Sequence, residues 1–177
     1  MIIMVGLPGS GKSFFAEKFA ETFHVPYISQ QRIEELTTEN TDKLAQLQLS
    51  ELLKTKQPIL FEGPTYSRAE RVTLAKTAHE AGYETLLVWV QVDSLTAKDR
   101  SAAIKKITSP EEFDKLSKRF TPPTSIEKPL VISGKHTYAS QAKVVLKKLS
   151  TPRTEISTQA TAPERAPQPT RRSITIR

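Results

Sequence analysis

The residues Gly6-Leu7-Pro8-Gly9-Ser10-Gly11-Lys12-Ser13 carry the chemistry that is easiest to read in this chain. Gly6, Gly9 and Gly11 let the backbone turn tightly and take positive φ, so that successive N–H groups face one point. The spacing G-x-x-x-x-G-K-S, met at Gly6, Gly11, Lys12 and Ser13, is that of a loop that grips the phosphates of a nucleotide. Its N–H groups would surround the anion, Lys12 would reach the β- and γ-phosphates, and the Ser13 hydroxyl would hold Mg²⁺. Such a loop has to sit between a buried strand and a helix whose N-terminus adds its dipole. Both are predicted: residues 1–5 are an apolar run of strand length, and in 12–23 Phe15, Phe19 and Phe23 recur every fourth position.

A metal beside Ser13 needs a carboxylate at the end of a second apolar strand. Glu62 ends the run at 58–63 and Asp93 follows the run at 85–92. Glu62 is preferred, because its strand is the one expected beside the first and Gly63 permits a sharp turn. Asp93, followed by Ser94-Leu95-Thr96, reads better as a cap on the next helix.

Further strands are predicted at 26–29 and 129–133, and helices at 42–56, 67–82, 94–106, 109–120 and 140–149. Ser67 with Glu70 and Ser109 with Glu112 have the spacing of capping boxes, the second with Pro110 at the first helical position. Strands alternating with helices predict parallel βαβ units and a three-layer α/β/α domain over residues 1–150. Phe14, Phe15 and Trp89 are expected in the core. His24, His79 and His136 share no metal-ligand spacing.

With 37% apolar and 25% charged residues and no cysteine, the chain excludes disulfides and thiol chemistry. Its apolar runs are too short to cross a bilayer, and no basic segment precedes the first of them, so a cytoplasmic protein is expected. Of the net charge of +7, residues 151–177 contribute +3 through five arginines and two glutamates. That segment has four prolines and six apolar residues, too few to offset the entropy of ordering. It is expected to be a disordered tail. A solvated terminus is its plain role, and contact with a nucleic acid or other polyanion through Arg171-Arg172-Ser173-Ile174-Thr175-Ile176-Arg177 is the sharper one.

Over residues 1–149 the chain resembles the small P-loop kinases with an AAA-type ATP-binding domain, a group related to phage polynucleotide kinase and the zeta-toxin kinases. The resemblance rests on "MVGLPGSGKS", "ILFEGPTYSRAER", "VWVQVDSLTAKDR" and "FDKLSKRFTPPTSIEKPLVI", in that order. It implies a parallel five-stranded sheet of order 2-3-1-4-5, ATP and Mg²⁺ as cofactors, and transfer of the γ-phosphoryl group to a hydroxyl of a small molecule or a nucleic-acid 5′ end. It places Arg100 as a lid arginine that clamps phosphates. A second lid arginine is replaced by Ile104, with Lys105 and Lys106 beside it.

Where hydroxyl-phosphorylating relatives carry an aspartate that accepts the acceptor's proton, this chain has Gln31, and Glu34 stands where they have an arginine. An amide does not take up a proton near neutral pH. Gln31 would orient a hydroxyl or water, and Arg32 is the nearby cation. Arg68 and Arg71, on one helix face at the rim of the cleft, are the other candidates for holding an anionic acceptor, and Tyr66 one for stacking on a base or sugar. A nucleotide-binding regulatory module or ATPase acting through a partner is the alternative function.

Overall fold

The computed structural model describes residues 1–37, 39–103 and 109–151. Ile104, Lys105 and Lys106 lie outside them, as does all of the tail except Thr151. Five strands form one parallel sheet: β1 (Ile2–Val5), β2 (Tyr27–Ser29), β3 (Leu60–Glu62), β4 (Leu86–Gln91) and β5 (Leu130–Ser133), in the order β2-β3-β1-β4-β5. β1 is central because it is apolar at every position, and all four of its residues are buried. Its Ile2 pairs with Leu60 of β3 on one side and Leu86 of β4 on the other.

Alternation along the strands divides the core into two layers. Ile2, Met4, Leu60, Val88 and Val90 face α1 (Lys12–Phe23) and α7 (Tyr138–Ser150), meeting Phe15, Phe19, Ala142 and Val145. Ile28, Ile59 and Phe61 face the opposite layer, where α3 (Thr41–Lys54) supplies Leu49 and Leu53 and α4 (Arg68–Glu80) supplies Ala78. The fold is therefore the α/β/α sandwich expected from the sequence. α5 (Ser94–Ala103) and α6 (Pro110–Arg119) follow β4 and are tied to each other by Lys98 and Asp114 at 2.8 Å.

Both capping boxes form, on α4 from Ser67 and Glu70 and on α6 from Ser109 and Glu112. Two core assignments need correction. Phe14 is 53% exposed, because Phe15 and Phe19 already take the sheet-facing stripe of α1. Trp89 is half-buried and packs against Phe120, ring centroids 6.5 Å apart. A short helix absent from the sequence reading, α2 (Gln30–Leu36), starts directly from β2, with Ser29 capping it through the Arg32 N–H.

Candidate active site

The C-terminal ends of β1, β3 and β4 converge on one edge, and the phosphate loop connects β1 to α1 there. Gly9 has φ 74°, and a Cβ on it would lie 2.1 Å from the carbonyl oxygen of Ala97, so the loop packs flush against α5. A Cβ on Gly134, after β5, would lie 2.1 Å from the Ser10 carbonyl oxygen. The loop is thus wedged between α5 and the β5–α7 turn, and its curvature is fixed by backbone on both sides. At Gly11 φ is 100°, and a Cβ would meet nothing within 4 Å, so the loop is open at that position.

No side chain caps α1. Its first-turn N–H groups have no partner within the helix and form a ready anion site. Ser10 Oγ is buried with no hydrogen-bond partner. Lys12 Nζ donates to the Leu7 carbonyl at 3.0 Å, one of the three hydrogen bonds an ammonium can make. Burial lowers its pKa, an effect that the nearby Glu62 charge opposes. A cation that is poorly solvated and under-bonded fits a polyphosphate.

Ser13 Oγ donates to Glu62 Oε1 at 2.8 Å, so the residues expected to hold the metal meet across β1. Glu62 is 7% exposed, and its Oε2 accepts from the Tyr27 hydroxyl at 2.5 Å. Burial and then the Glu62 charge hold the Tyr27 phenol well above its usual range, so it stays a donor. A serine hydroxyl and a carboxylate are oxygen donors of the kind Mg²⁺ takes. The donor set, the uncapped helix and the open loop together fit a magnesium nucleotide. The turn after β3 is pinned beside the loop by Thr65, whose hydroxyl donates to the Met4 carbonyl at 2.9 Å.

Asp93, the other candidate acid, caps α5: its Oδ1 accepts from Thr96 N–H at 2.9 Å and its Oδ2 from the Thr96 hydroxyl at 2.9 Å. An ion pair to Lys135, then these bonds, hold its carboxyl far below the usual range. Arg100 extends from α5 to the β5–α7 turn and donates to the Gly134 carbonyl at 2.8 Å.

On the acceptor side the candidates separate. Gln31, half-buried in the first turn of α2, has no side-chain hydrogen bond among the described residues, whereas its neighbour Gln30 bonds to Glu34 and Asp42. Arg32 is exposed, pairs with Glu17 at 2.9 Å and lies over the Tyr27 ring. Arg68 is exposed, with no ion pair among the described residues.

Arg71 is a correction. It points into the protein, 2% exposed, and donates from Nε and Nη2 to the two Glu127 oxygens at 2.7 and 3.1 Å. Its Nη1 donates to the carbonyls of Thr65, Tyr66 and Thr121. A guanidinium so committed and 2% exposed is out of a substrate's reach. It ties α4 to the segment after α6. Tyr66 stays at the rim, half-buried, its phenol pushed up to about 12 by burial and then by Glu62 and Glu34, against the opposing Arg119. Arg119 lies over its ring and pairs with Glu70.

The sequence of residues 1–123 matches the family model described as AAA domain. The chain belongs to that AAA domain family. Among solved structures, this AAA domain is similar to a gluconokinase from Sinorhizobium meliloti 1021, with 17% identity and a TM-score of 0.64 over 84% of this chain and 90% of that one. It is similar to Kti12 of Chaetomium thermophilum in complex with ADP-AlF3, with 16% identity and a TM-score of 0.66 over 84% and 96%. A deoxyadenosine kinase from M. mycoides with bound dATP shares 14% identity at a TM-score of 0.52 over 85% and 99%. No curated protein sequence matches. These likenesses fix the architecture: a P-loop kinase-like sheet of order 2-3-1-4-5. Among the described residues no helix is long and apolar enough to cross a membrane, and no cluster of three or more acids and histidines could hold a metal ion.

Proposed function

We propose that this AAA domain binds ATP and transfers its γ-phosphoryl group to a hydroxyl of an acceptor. The observation that carries the reading is the meeting of three side chains at the mouth of an uncapped phosphate loop: Lys12 under-bonded, with Ser13 and Glu62 joined at 2.8 Å. Mg²⁺, held there by Ser13 and Glu62, would neutralise charge on the β- and γ-phosphates. Lys12 and the N–H groups of Gly9, Gly11, Lys12 and Ser13 hold the phosphates, while the Ser10 N–H closes the loop onto the Leu7 carbonyl at 3.1 Å and Leu7 and Pro8 shape the approach. In the transfer the bond from Pγ to the β–γ bridging oxygen breaks, a bond from Pγ to the acceptor oxygen forms, and ADP leaves. The hydroxyl proton passes to a phosphoryl oxygen or to water, since Gln31 cannot take it. The nucleotides in the Kti12 and deoxyadenosine kinase structures are consistent with this assignment.

Of the two acceptor classes, an uncharged small molecule such as a sugar or nucleoside is better supported than a nucleic-acid 5′ end. A polyanionic acceptor needs cations to spare. Arg32 is paired with Glu17, Arg71 with Glu127 and Arg119 with Glu70, and Arg100 holds a carbonyl, which leaves Arg68 as the one candidate arginine here without such a partner among the described residues, too little for a polyanion. Gln31, in place of an acid, favours a second reading, a nucleotide-responsive module with weak ATPase activity.

The test is incubation of the full chain with γ-labelled ATP and Mg²⁺ against water alone, nucleosides, sugars and 5′-hydroxyl oligonucleotides. Label on a sugar or nucleoside hydroxyl supports the kinase. Label on orthophosphate alone, whatever the acceptor, overturns it in favour of the second reading.

A further inference from the structure

The Glu62 carboxylate is held at both oxygens, and the sequence accounts for only one of the two holders. Ser13 takes Oε1, and the Tyr27 hydroxyl takes Oε2 at 2.5 Å. Tyr27 and Glu62 lie on adjacent strands. Tyr27 pairs with Leu60 and Ser29 with Glu62, so tyrosine and glutamate are diagonal neighbours on one face of the sheet, the face that α1 covers. The ring is itself held from outside. The Arg32 guanidinium lies 5.5 Å from its centroid, and Glu17 of α1 fixes that guanidinium at 2.9 Å.

We infer that Tyr27 is a positioning residue for the metal-binding carboxylate. A glutamate reaches its carboxyl group through three rotatable bonds, and an acid that swings presents a metal with a different oxygen in each rotamer. By occupying Oε2, Tyr27 leaves Oε1 on the Ser13 side, where the metal of the proposed function would sit. Partners of metal ligands act in this way, and their loss weakens metal binding by about 10–100-fold. The inference rests on the magnesium nucleotide reading above and assigns that site a residue the phosphate-loop motif does not contain.

Tyr27→Phe keeps the ring and its contact with Arg32 and removes only the donor. The measurement is ADP binding to the full chain by calorimetry, first in EDTA and then at rising Mg²⁺, with thermal melting to establish that each variant is folded. Tyr27→Phe is expected to bind ADP in EDTA as the parent does, and to need about tenfold more Mg²⁺ or above for half of the metal-dependent gain in affinity. In a Glu62→Gln background the same change is expected to add nothing, because the carboxylate it steers is gone.

A Tyr27→Phe chain with the parent's Mg²⁺ dependence overturns the inference and leaves the nucleotide reading standing. So does an equal Mg²⁺ shift in both backgrounds, which would mean that Tyr27 acts elsewhere. A parent chain that binds ADP with no response to Mg²⁺ also overturns it. A parent with no affinity for ADP removes the proposed function and this inference together.

Discussion

Replacing Arg71 by methionine separates a structural guanidinium from a substrate-binding one. Arg71 is 2% exposed and Glu127 9%, and the pair is bidentate. Removing one partner of a buried ion pair leaves the other charge stranded, which costs about 3–5 kcal/mol. Three carbonyls also lose a donor, those of Thr65, Tyr66 and Thr121, although some of them regain water when the segment loosens. For a domain of this size each kcal/mol is about 2–4 °C in Tm, so Arg71→Met should melt roughly 6–20 °C below the parent. The double variant Arg71→Met with Glu127→Leu should recover much of that loss, because no charge is then left unpaired. Differential scanning calorimetry of the three chains decides it. If Arg71→Met melts within about 2 °C of the parent and instead raises the KM for an acceptor, Arg71 is a cleft residue and the reasoning fails.

The pair also predicts an acid limb. Burial alone would raise the Glu127 pKa, but hydrogen bonds from Arg71 and the Thr124 N–H outweigh it and hold the carboxyl below its usual value. A depressed carboxyl contributes stability above its unfolded pKa, about 4.3, and loses it as pH falls through the lower folded value. Parent Tm should therefore drop below about pH 4, and Glu127→Gln should lack that component. Lys12→Ala should remove most ADP affinity at unchanged Tm, and calorimetric binding equal to the parent's would count against the phosphate site. Gly9→Ala should weaken nucleotide binding and lower Tm together, since its methyl would meet the Ala97 carbonyl at 2.1 Å, and parent-like values for both would show that the loop has room. If the acceptor is uncharged, its kcat/KM should change little between low and moderate salt, whereas a steep fall would point to a polyanion.

What was legible in the sequence is what local chemistry dictates. The loop is spelled by its glycines, the strands by apolar runs, and the starts of α4 and α6 by Ser67 and Ser109 with their glutamates. Glu62 could be chosen over Asp93 because strand adjacency follows from the topology that the loop implies. The misses are all matters of tertiary context. α2 buries none of its seven residues, so it has no apolar stripe to betray it, and it follows β2 with no loop between. Arg71 looked like the companion of Arg68 on a helix face, and only the fold brings Glu127 to it from 56 positions away. Tyr27 drew no role within the predicted strand at 26–29, because its partner is on a strand that becomes its neighbour only in the folded sheet.

Gln31 does not exclude phosphoryl transfer, and the reason lies in how the barrier is lowered. In a loose transition state the leaving bond is largely broken before the acceptor oxygen bonds to phosphorus, so the hydroxyl keeps its proton until late and a base contributes less than placement does. Placement is what the proposed site would supply. The loop is wedged between Ala97 and Gly134, Glu62 is fixed at both oxygens, and the turn after β3 is pinned to β1 by Thr65. Gln31, uncommitted at the start of α2, has an amide that can orient a hydroxyl by accepting from it. What it orients is then decided by what reaches it. A cleft that excludes water would make this domain a kinase, and one that admits water would make it a hydrolase with the same residues in the same places.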